Sequence, residues 1–156
     1  MANVSYRKTS VYDELTEEYE VFEHYYDAMM FLAVLGYREG EPETENYTGT
    51  GEESGSIGLE RFHGNSRYHA IVACLAFQRD GDPSDMADPK VHREVIAQYA
   101  AGGLEVYEEE FGHVAGDPTD AIANYVKSCT DPERRTREDD ELQTIIQSFD
   151  EEMFAG

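Results

Sequence analysis

The sequence predicts an all-α fold: a single domain of about six helices, with at most one short β-hairpin and a long acidic loop. Two observations predict it. Apolar residues recur at helical spacing in several segments, and four of the five prolines directly follow an aspartate. Aspartate is a favourable N-cap and proline suits the first helical position, so an Asp-Pro pair marks a helix start.

Two helices are predicted before residue 38. The first is short, begins near Thr9 or Ser10 and ends at about Tyr19. The second carries an apolar stripe that packs one face on a core, and Gly36 is expected to be its C-cap. The stripe consists of Phe22, Tyr25, Tyr26, Met29, Leu32 and Ala33.

Residues 38–56 interrupt this periodicity. They are rich in Glu, Gly, Thr and Ser and contain hardly any apolar side chain, which is typical of a long, solvated and flexible loop. The following segment, Ile57 to Phe62, alternates weakly between apolar and polar residues. It is interpreted either as a short strand or as an extended lead into the next helix.

Helical spacing resumes after this loop. The third helix is capped by Asn65 or Ser66, and a longer helix starts at Asp88. Gly102 and Gly103 lie inside that longer helix, and glycine there costs about 1 kcal/mol relative to alanine. The pair therefore marks either a break between two helices or a place where another backbone packs closely.

Two more helices complete the prediction. Asp117 caps one of them, and the last is an amphipathic helix near the C-terminus. The apolar stripe of that last helix consists of Leu142, Ile145, Ile146, Phe149 and Met153.

The charge of the chain is extreme. The 156 residues carry 34 Asp and Glu against 12 Lys and Arg, a formal net charge of −22, and only three of the basic residues are lysines. Such a charge repels itself in dilute buffer, whereas molar salt screens it. We therefore expect a salt-rich cytoplasm, as in haloarchaea. The alternative is an acidic surface shaped for a basic partner, such as a DNA mimic.

Composition also excludes several classes of protein. With 40 % hydrophobic residues, eleven Tyr and seven Phe, the chain is too apolar for a disordered acidic tail. No apolar run approaches the roughly 20 residues of a membrane span, and the first ten residues lack the apolar segment of a signal peptide. A cytoplasmic protein is expected. Cys74 and Cys129 fall on apolar helix faces and are interpreted as buried thiols.

No catalytic or metal-binding motif is complete. The segment Glu110 to His113 has the Glu-x-x-His spacing of di-iron bundles, but no second copy exists. His92 and Glu94 have the spacing of a zinc deaminase motif without its Pro-Cys-x-x-Cys partner. The sequence therefore predicts no catalytic residue, no metal, no cofactor and no enzymatic activity.

Two groups of basic residues stand out against the acidic background. Arg61, His63, Arg67 and His69 flank one polar segment, and they are candidates to contact a phosphate or an acidic partner. The alternative is that they take part in helix capping and surface salt bridges.

The second basic group consists of Arg134, Arg135 and Arg137, which acidic residues surround. A salt-bridged helix surface is one interpretation. A local contact with nucleic acid or a partner protein is the other.

Three segments carry a family resemblance. Residues 22–37, with the sequence FEHYYDAMMFLAVLGY, residues 57–62, and residues 98–107, with QYAAGGLEVY, together resemble the Dnd-system-associated protein 4 family. The resemblance covers residues 10–125 and rests on packing residues. Residues 131–156 are interpreted as a C-terminal helical addition, and the acidity departs from ordinary members.

The resemblance implies a small helical component of an antivirus defence system. Such proteins accompany the genes that place sulfur in the DNA backbone as a phosphorothioate, and associated restriction proteins act on unmodified DNA. It implies an accessory or assembly subunit whose partners are other proteins of that system and whose contact with DNA is indirect. Direct DNA contact within the complex remains an alternative. Neither the oligomeric state nor any catalytic residue follows from it.

Overall fold

The structure, a computed structural model, describes residues 2–130. Contacts divide the chain into two units, residues 1–115 and residues 116–156. Of the second unit, the structure describes helix α6, Thr119–Cys129. The amphipathic helix predicted at residues 142–153 lies outside the described residues, and the expectation of a single domain stays a prediction.

The first unit is mostly α-helical, as predicted, and contains one small sheet. None of the helices in residues 2–130 is both long and apolar enough to cross a membrane. A π-helical turn at Glu14–Glu18 continues the first helix, and short 3-10 turns at Gly51–Glu53 and Pro83–Ala87 precede the second strand and the longest helix. The helices are α1 (Ser10–Asp13), α2 (Tyr25–Glu39), α3 (Glu60–His63), α4 (Ser66–Asp80) and α5 (Pro89–Phe111), and the strands are β1 (Asn3–Arg7) and β2 (Ser54–Gly58).

The two strands are antiparallel, but they do not form the hairpin that the sequence allowed. Val4 pairs with Ile57 and Tyr6 with Gly55, so the N-terminal end of the first unit joins a segment some fifty residues further along. Val4 and Tyr6 are buried on one face of β1. The strand was not predicted, because alternation over only five residues is a weak signal.

The core centres on the crossing of α2 and α5. At this crossing Gly36 of α2 faces the backbone of Tyr99 and Gly103, and Gly103 faces the backbone of Leu32. Of the two interpretations of the glycine pair, close backbone packing is therefore confirmed, and α5 continues through Gly102 and Gly103 without a break.

The prediction that Gly36 is the C-cap of α2 is wrong. The helix extends to Glu39 and its C-cap is Gly40. Glycine is needed at position 36 because α2 and α5 approach closely there. In the sequence, such a glycine cannot be distinguished from one that ends a helix.

The long acidic loop is tied to its surroundings through its backbone. The amide of Arg7 donates to the carbonyl of Tyr47 at 2.8 Å, and the amide of Glu43 donates to the carbonyl of Gln98 at 2.9 Å. The coil is shorter than the predicted residues 38–56, because α2 ends at Glu39 and β2 begins at Ser54. The flexibility of this loop stays a prediction.

The Asp88-Pro89 and Asp117-Pro118 pairs precede helices, as predicted, and Asp82-Pro83 starts a short 3-10 turn. The Asp82 carboxylate accepts from the amide of Ser84, the Asp88 carboxylate from that of Lys90 and the Asp117 carboxylate from that of Thr119, at 2.8–3.0 Å. The fourth pair begins at residue 131, outside the described residues.

Candidate functional site

The turn between α3 and α4 brings His63 and His69 together. Phe62 is fully buried and anchors α3, while the Asn65 side chain accepts hydrogen bonds from the first amides of α4. Because both helix ends are fixed in this way, the imidazoles of His63 and His69 stack with their ring centroids 4.4 Å apart.

A third histidine, His92 in the first turns of α5, completes the cluster. Its Nδ1 lies 2.9 Å from Nε2 of His63, and its ring centroid lies 6.0 Å from that of His69. One nitrogen from each of the three rings lies within 4.8 Å of the others. His92 is buried, His63 is half-buried and His69 is exposed, so the cluster runs from the core to the surface.

The surroundings of His92 determine its tautomer. Its Nε2 lies 2.7 Å from the backbone carbonyl oxygen of Met86. Since a carbonyl only accepts, we assign the proton of the neutral ring to Nε2. Nδ1 of His92 is then the acceptor, and Nε2 of His63 the donor, of the hydrogen bond between the two rings.

The pKa of His63 is lowered mainly by burial, and the neighbouring imidazoles of His69 and His92 lower it further. Desolvation disfavours an imidazolium, and two adjacent imidazoles that can also become charged add to that effect. The neutral form of the His63 ring is therefore favoured, and in that form one ring nitrogen carries a proton and the other a lone pair.

Arg61 and Arg67 flank the cluster and are exposed. Within residues 2–130 neither guanidinium has a carboxylate within 4.0 Å. Of the two structural roles expected for this segment, capping is confirmed for Asn65, whereas the surface salt bridges are not found among the described residues. Arg134, Arg135 and Arg137 lie outside those residues.

Helix α4 is held in place from both ends. Near its start, the Tyr68 hydroxyl donates to the Asp27 carboxylate of α2 at 2.6 Å. At its last turn, the Arg79 guanidinium donates to the Gln98 side chain of α5 at 3.1 Å and pairs with Asp80 and Glu94. These contacts fix the position of α4 against α2 and α5.

The outer face of α4 is apolar. Val34, Tyr37 and Arg38 of α2 line a groove against α4, and the α4 side of the groove includes Ile71 and Cys74. Cys74 is exposed and forms no disulfide, so the prediction of a buried thiol at this position is wrong. The prediction failed because α4 carries apolar residues on both faces. Cys129, in α6, is half-buried and forms no disulfide within the described residues.

The sequence did not identify His92 as a partner of His63 and His69. Some signal was present: the Asp88-Pro89 start places His92 in the first turns of a helix that also bears Val95 and Ile96. The missing information was long-range, since nothing local predicts that the start of α5 packs beside the turn between α3 and α4.

Comparison with known proteins identifies the family. The sequence model of the family described as DNA sulphur modification system-associated protein 4 matches residues 3–145. This match extends beyond the residues 10–125 that carry the resemblance noted above, and it includes the three histidines. No significant similarity to curated proteins or to solved structures was found. The chain therefore belongs to the DNA sulphur modification system-associated protein 4 family.

Proposed function

We propose that the chain is a non-catalytic accessory or assembly subunit of a DNA-phosphorothioation-linked antivirus restriction system, in a salt-rich cytoplasm, and that it acts through protein contacts. The observation that supports this best is the apolar outer face of α4. We name it the α4 face and define it by the exposed or half-buried residues Ala70, Ile71, Cys74 and Phe77 together with Tyr37 of α2.

The four α4 residues of this face lie in the longest stretch of the chain without an acidic residue. All 34 acidic residues lie outside residues 61–79. An evenly acidic surface would keep the protein soluble and separate from other proteins. A neutral, apolar region in such a surface is typical of an interaction site.

Helix α4 is apolar on two opposite sides. Val72, Leu75 and Ala76 face the core and are buried, while Ala70 and Cys74 are exposed on the other side. An apolar face of a helix is usually covered by another part of the protein or by a partner. Since Phe77 is 37 % exposed and Tyr37 44 %, the described part of the chain does not supply this cover.

The proposed occupant is an apolar segment of another protein of the same system. Apolar contact suits a salt-rich cytoplasm, because molar salt weakens ionic contacts between exposed charges and leaves apolar burial intact. Membership of the family supports the choice of partner.

The contact is tested with Cys74→Glu, which places a charge in the middle of the α4 face. We expect affinity for the partner to fall about tenfold or more, since a charge buried without a counter-ion costs more than 1.4 kcal/mol. Purified proteins of the modification and restriction system are titrated against the chain in molar KCl. Thr44→Glu, which adds the same charge at an exposed loop position, should bind like the wild type.

Two results contradict the proposal. If no protein of the system binds the wild-type chain in molar KCl, the accessory role fails. If Cys74→Glu binds as tightly as Thr44→Glu, the α4 face is not the contact. Cleavage of DNA by the purified chain with added divalent metal would remove the non-catalytic part of the proposal.

Direct DNA contact within the complex is the second candidate function. It is favoured by the exposure of Arg61 and Arg67, which have no carboxylate partner within residues 2–130. Guanidinium groups left free in this way are available to bind phosphate oxygens.

If this alternative is correct, the Arg61→Glu/Arg67→Glu double variant should reduce retention of DNA by the assembled complex at matched salt. Lys8→Glu/Lys127→Glu is the control, because it makes the same charge change at two lysines that do not belong to the cluster. Equal retention by both variants would exclude phosphate contacts by Arg61 and Arg67.

A further inference from the structure

We propose that His63, His69 and His92 form a binding site for a divalent transition metal ion of the Zn²⁺ type. The proposal goes beyond the accessory function and does not depend on it. Imidazole nitrogen is a preferred ligand of Zn²⁺, Co²⁺, Ni²⁺ and Cu²⁺, and the three rings offer one nitrogen each within 4.8 Å of the others.

The spacing of the nitrogens fits one shared ion. Tetrahedral Zn²⁺ with Zn–N bonds of about 2.0–2.1 Å places its ligand nitrogens about 3.3 Å apart. Nε2 of His63 and Nδ1 of His92 are 2.9 Å apart, so this pair needs to open by only a few tenths of an ångström. The ion replaces the hydrogen bond between the two rings, and in the bound state His63 carries its ring proton on Nδ1 and binds the ion through Nε2. The ligand nitrogen of His69, which is exposed on the first turns of α4, lies within 4.8 Å of the other two. It must therefore approach them by about 1.5 Å at most to share a tetrahedral ion.

The environment of His92 is that of a metal ligand. A ligating histidine usually donates its other ring N–H to a carbonyl or carboxylate, which fixes the tautomer and the ring orientation. Nε2 of His92 makes this bond to the Met86 carbonyl and leaves Nδ1 for the ion. The buried ring of His92 is thus already oriented.

A bound ion would link three helices. His63 ends α3, His69 lies near the start of α4 and His92 near the start of α5. Three protein ligands leave one tetrahedral position for water or another donor. Because His69 is exposed, an ion can reach the site from solvent, and the net charge of −22 attracts cations to the surface.

The test is titration of chelator-treated full-length protein with Co²⁺ in molar KCl, followed by visible absorption. We expect a 1:1 complex with the intense d–d bands of tetrahedral coordination, displaced by one equivalent of Zn²⁺. High salt and this spectral readout matter, because many exposed carboxylates bind cations weakly and give six-coordinate complexes.

The matched variants are His69→Gln and the His24→Gln/His113→Gln pair, which removes the remaining two histidines of the chain. His69→Gln should weaken Co²⁺ binding more than about 100-fold, because the loss of a ligand should exceed the roughly 10–100-fold loss that follows removal of an outer-shell partner. It should also abolish the tetrahedral spectrum. His69 is exposed, so its substitution should leave the far-ultraviolet circular dichroism unchanged. The His24→Gln/His113→Gln control should bind as the wild type does.

The proposal is overturned if wild-type protein gives only weak six-coordinate spectra. It is equally overturned if His69→Gln binds Co²⁺ as tightly as the control, since the carboxylates would then be the ligands. The cluster would in either case be a hydrogen-bonded and stacked group of histidines that holds no metal ion.

Discussion

Gly103→Ala is expected to destabilise the protein by about 3 kcal/mol or more, although helix propensity alone would favour alanine by about 1 kcal/mol. A Cβ at this position would lie 2.6 Å from the carbonyl carbon of Leu32 and closer still to its oxygen. Both groups belong to helix backbones, so the clash is relieved only by moving α2 away from α5. The thermal unfolding midpoint should fall by roughly 6–12 °C.

Gly81→Ala is the control for the Gly103 prediction. Gly81 has φ = 71° and no neighbouring atom within 4 Å of an added Cβ, so its substitution introduces backbone strain without a clash. We expect a loss of about 1–2 kcal/mol for this variant. Urea unfolding in molar KCl measures both, and a Gly103→Ala chain as stable as the wild type would show that the helices do not pack as closely as described.

The second large effect is a gain of stability with salt. Between 0.1 M and 1 M KCl the Debye length falls from about 10 Å to about 3 Å, which screens the repulsion among the carboxylates. Glu14 illustrates this repulsion. Its pKa is raised mainly by burial and additionally by the nearby carboxylates of Glu18 and Glu108. We expect helical circular dichroism to grow, or the unfolding midpoint to rise, as KCl increases to molar concentrations.

Two controls separate charge screening from a general effect of solutes. The triple variant Glu108→Gln/Glu109→Gln/Glu110→Gln removes three exposed carboxylates. It should be more stable than the wild type at low salt and should gain less from KCl. Sucrose strengthens burial without screening charge and should not reproduce the difference. Equal stability of the wild type at low and molar KCl would contradict the salt hypothesis.

Local signals in the sequence predicted the helices well. The Asp-Pro starts at residues 82, 88 and 117 depend on a carboxylate and the amide two residues later, and so does the Asn65 cap. The errors concern glycine and the strands. In the local sequence, Gly36 looks the same as a glycine that ends a helix. Only its contact with α5 shows that it serves close helix packing instead. Likewise, β1 is defined by a partner strand some fifty residues away.

The same limit applies to the candidate site. His63 and His69 are close in sequence, and their pairing was visible in the pattern. His92 is 29 residues from His63, so its membership depends on how α5 packs. The α4 face was missed for a related reason. An apolar pattern shows that Cys74 is on a helix face, but it does not show which of two apolar faces meets the core.

The pairing of β1 with β2 also has a consequence for biosynthesis. The ribosome completes Asn3–Arg7 about fifty residues before Ser54–Gly58, a delay of roughly 3–10 s at ordinary rates of translation. During that interval Val4 and Tyr6, buried in the finished protein, have no partner strand. During this interval the nascent chain therefore exposes two apolar side chains on an unpaired strand, the kind of segment that chaperones bind.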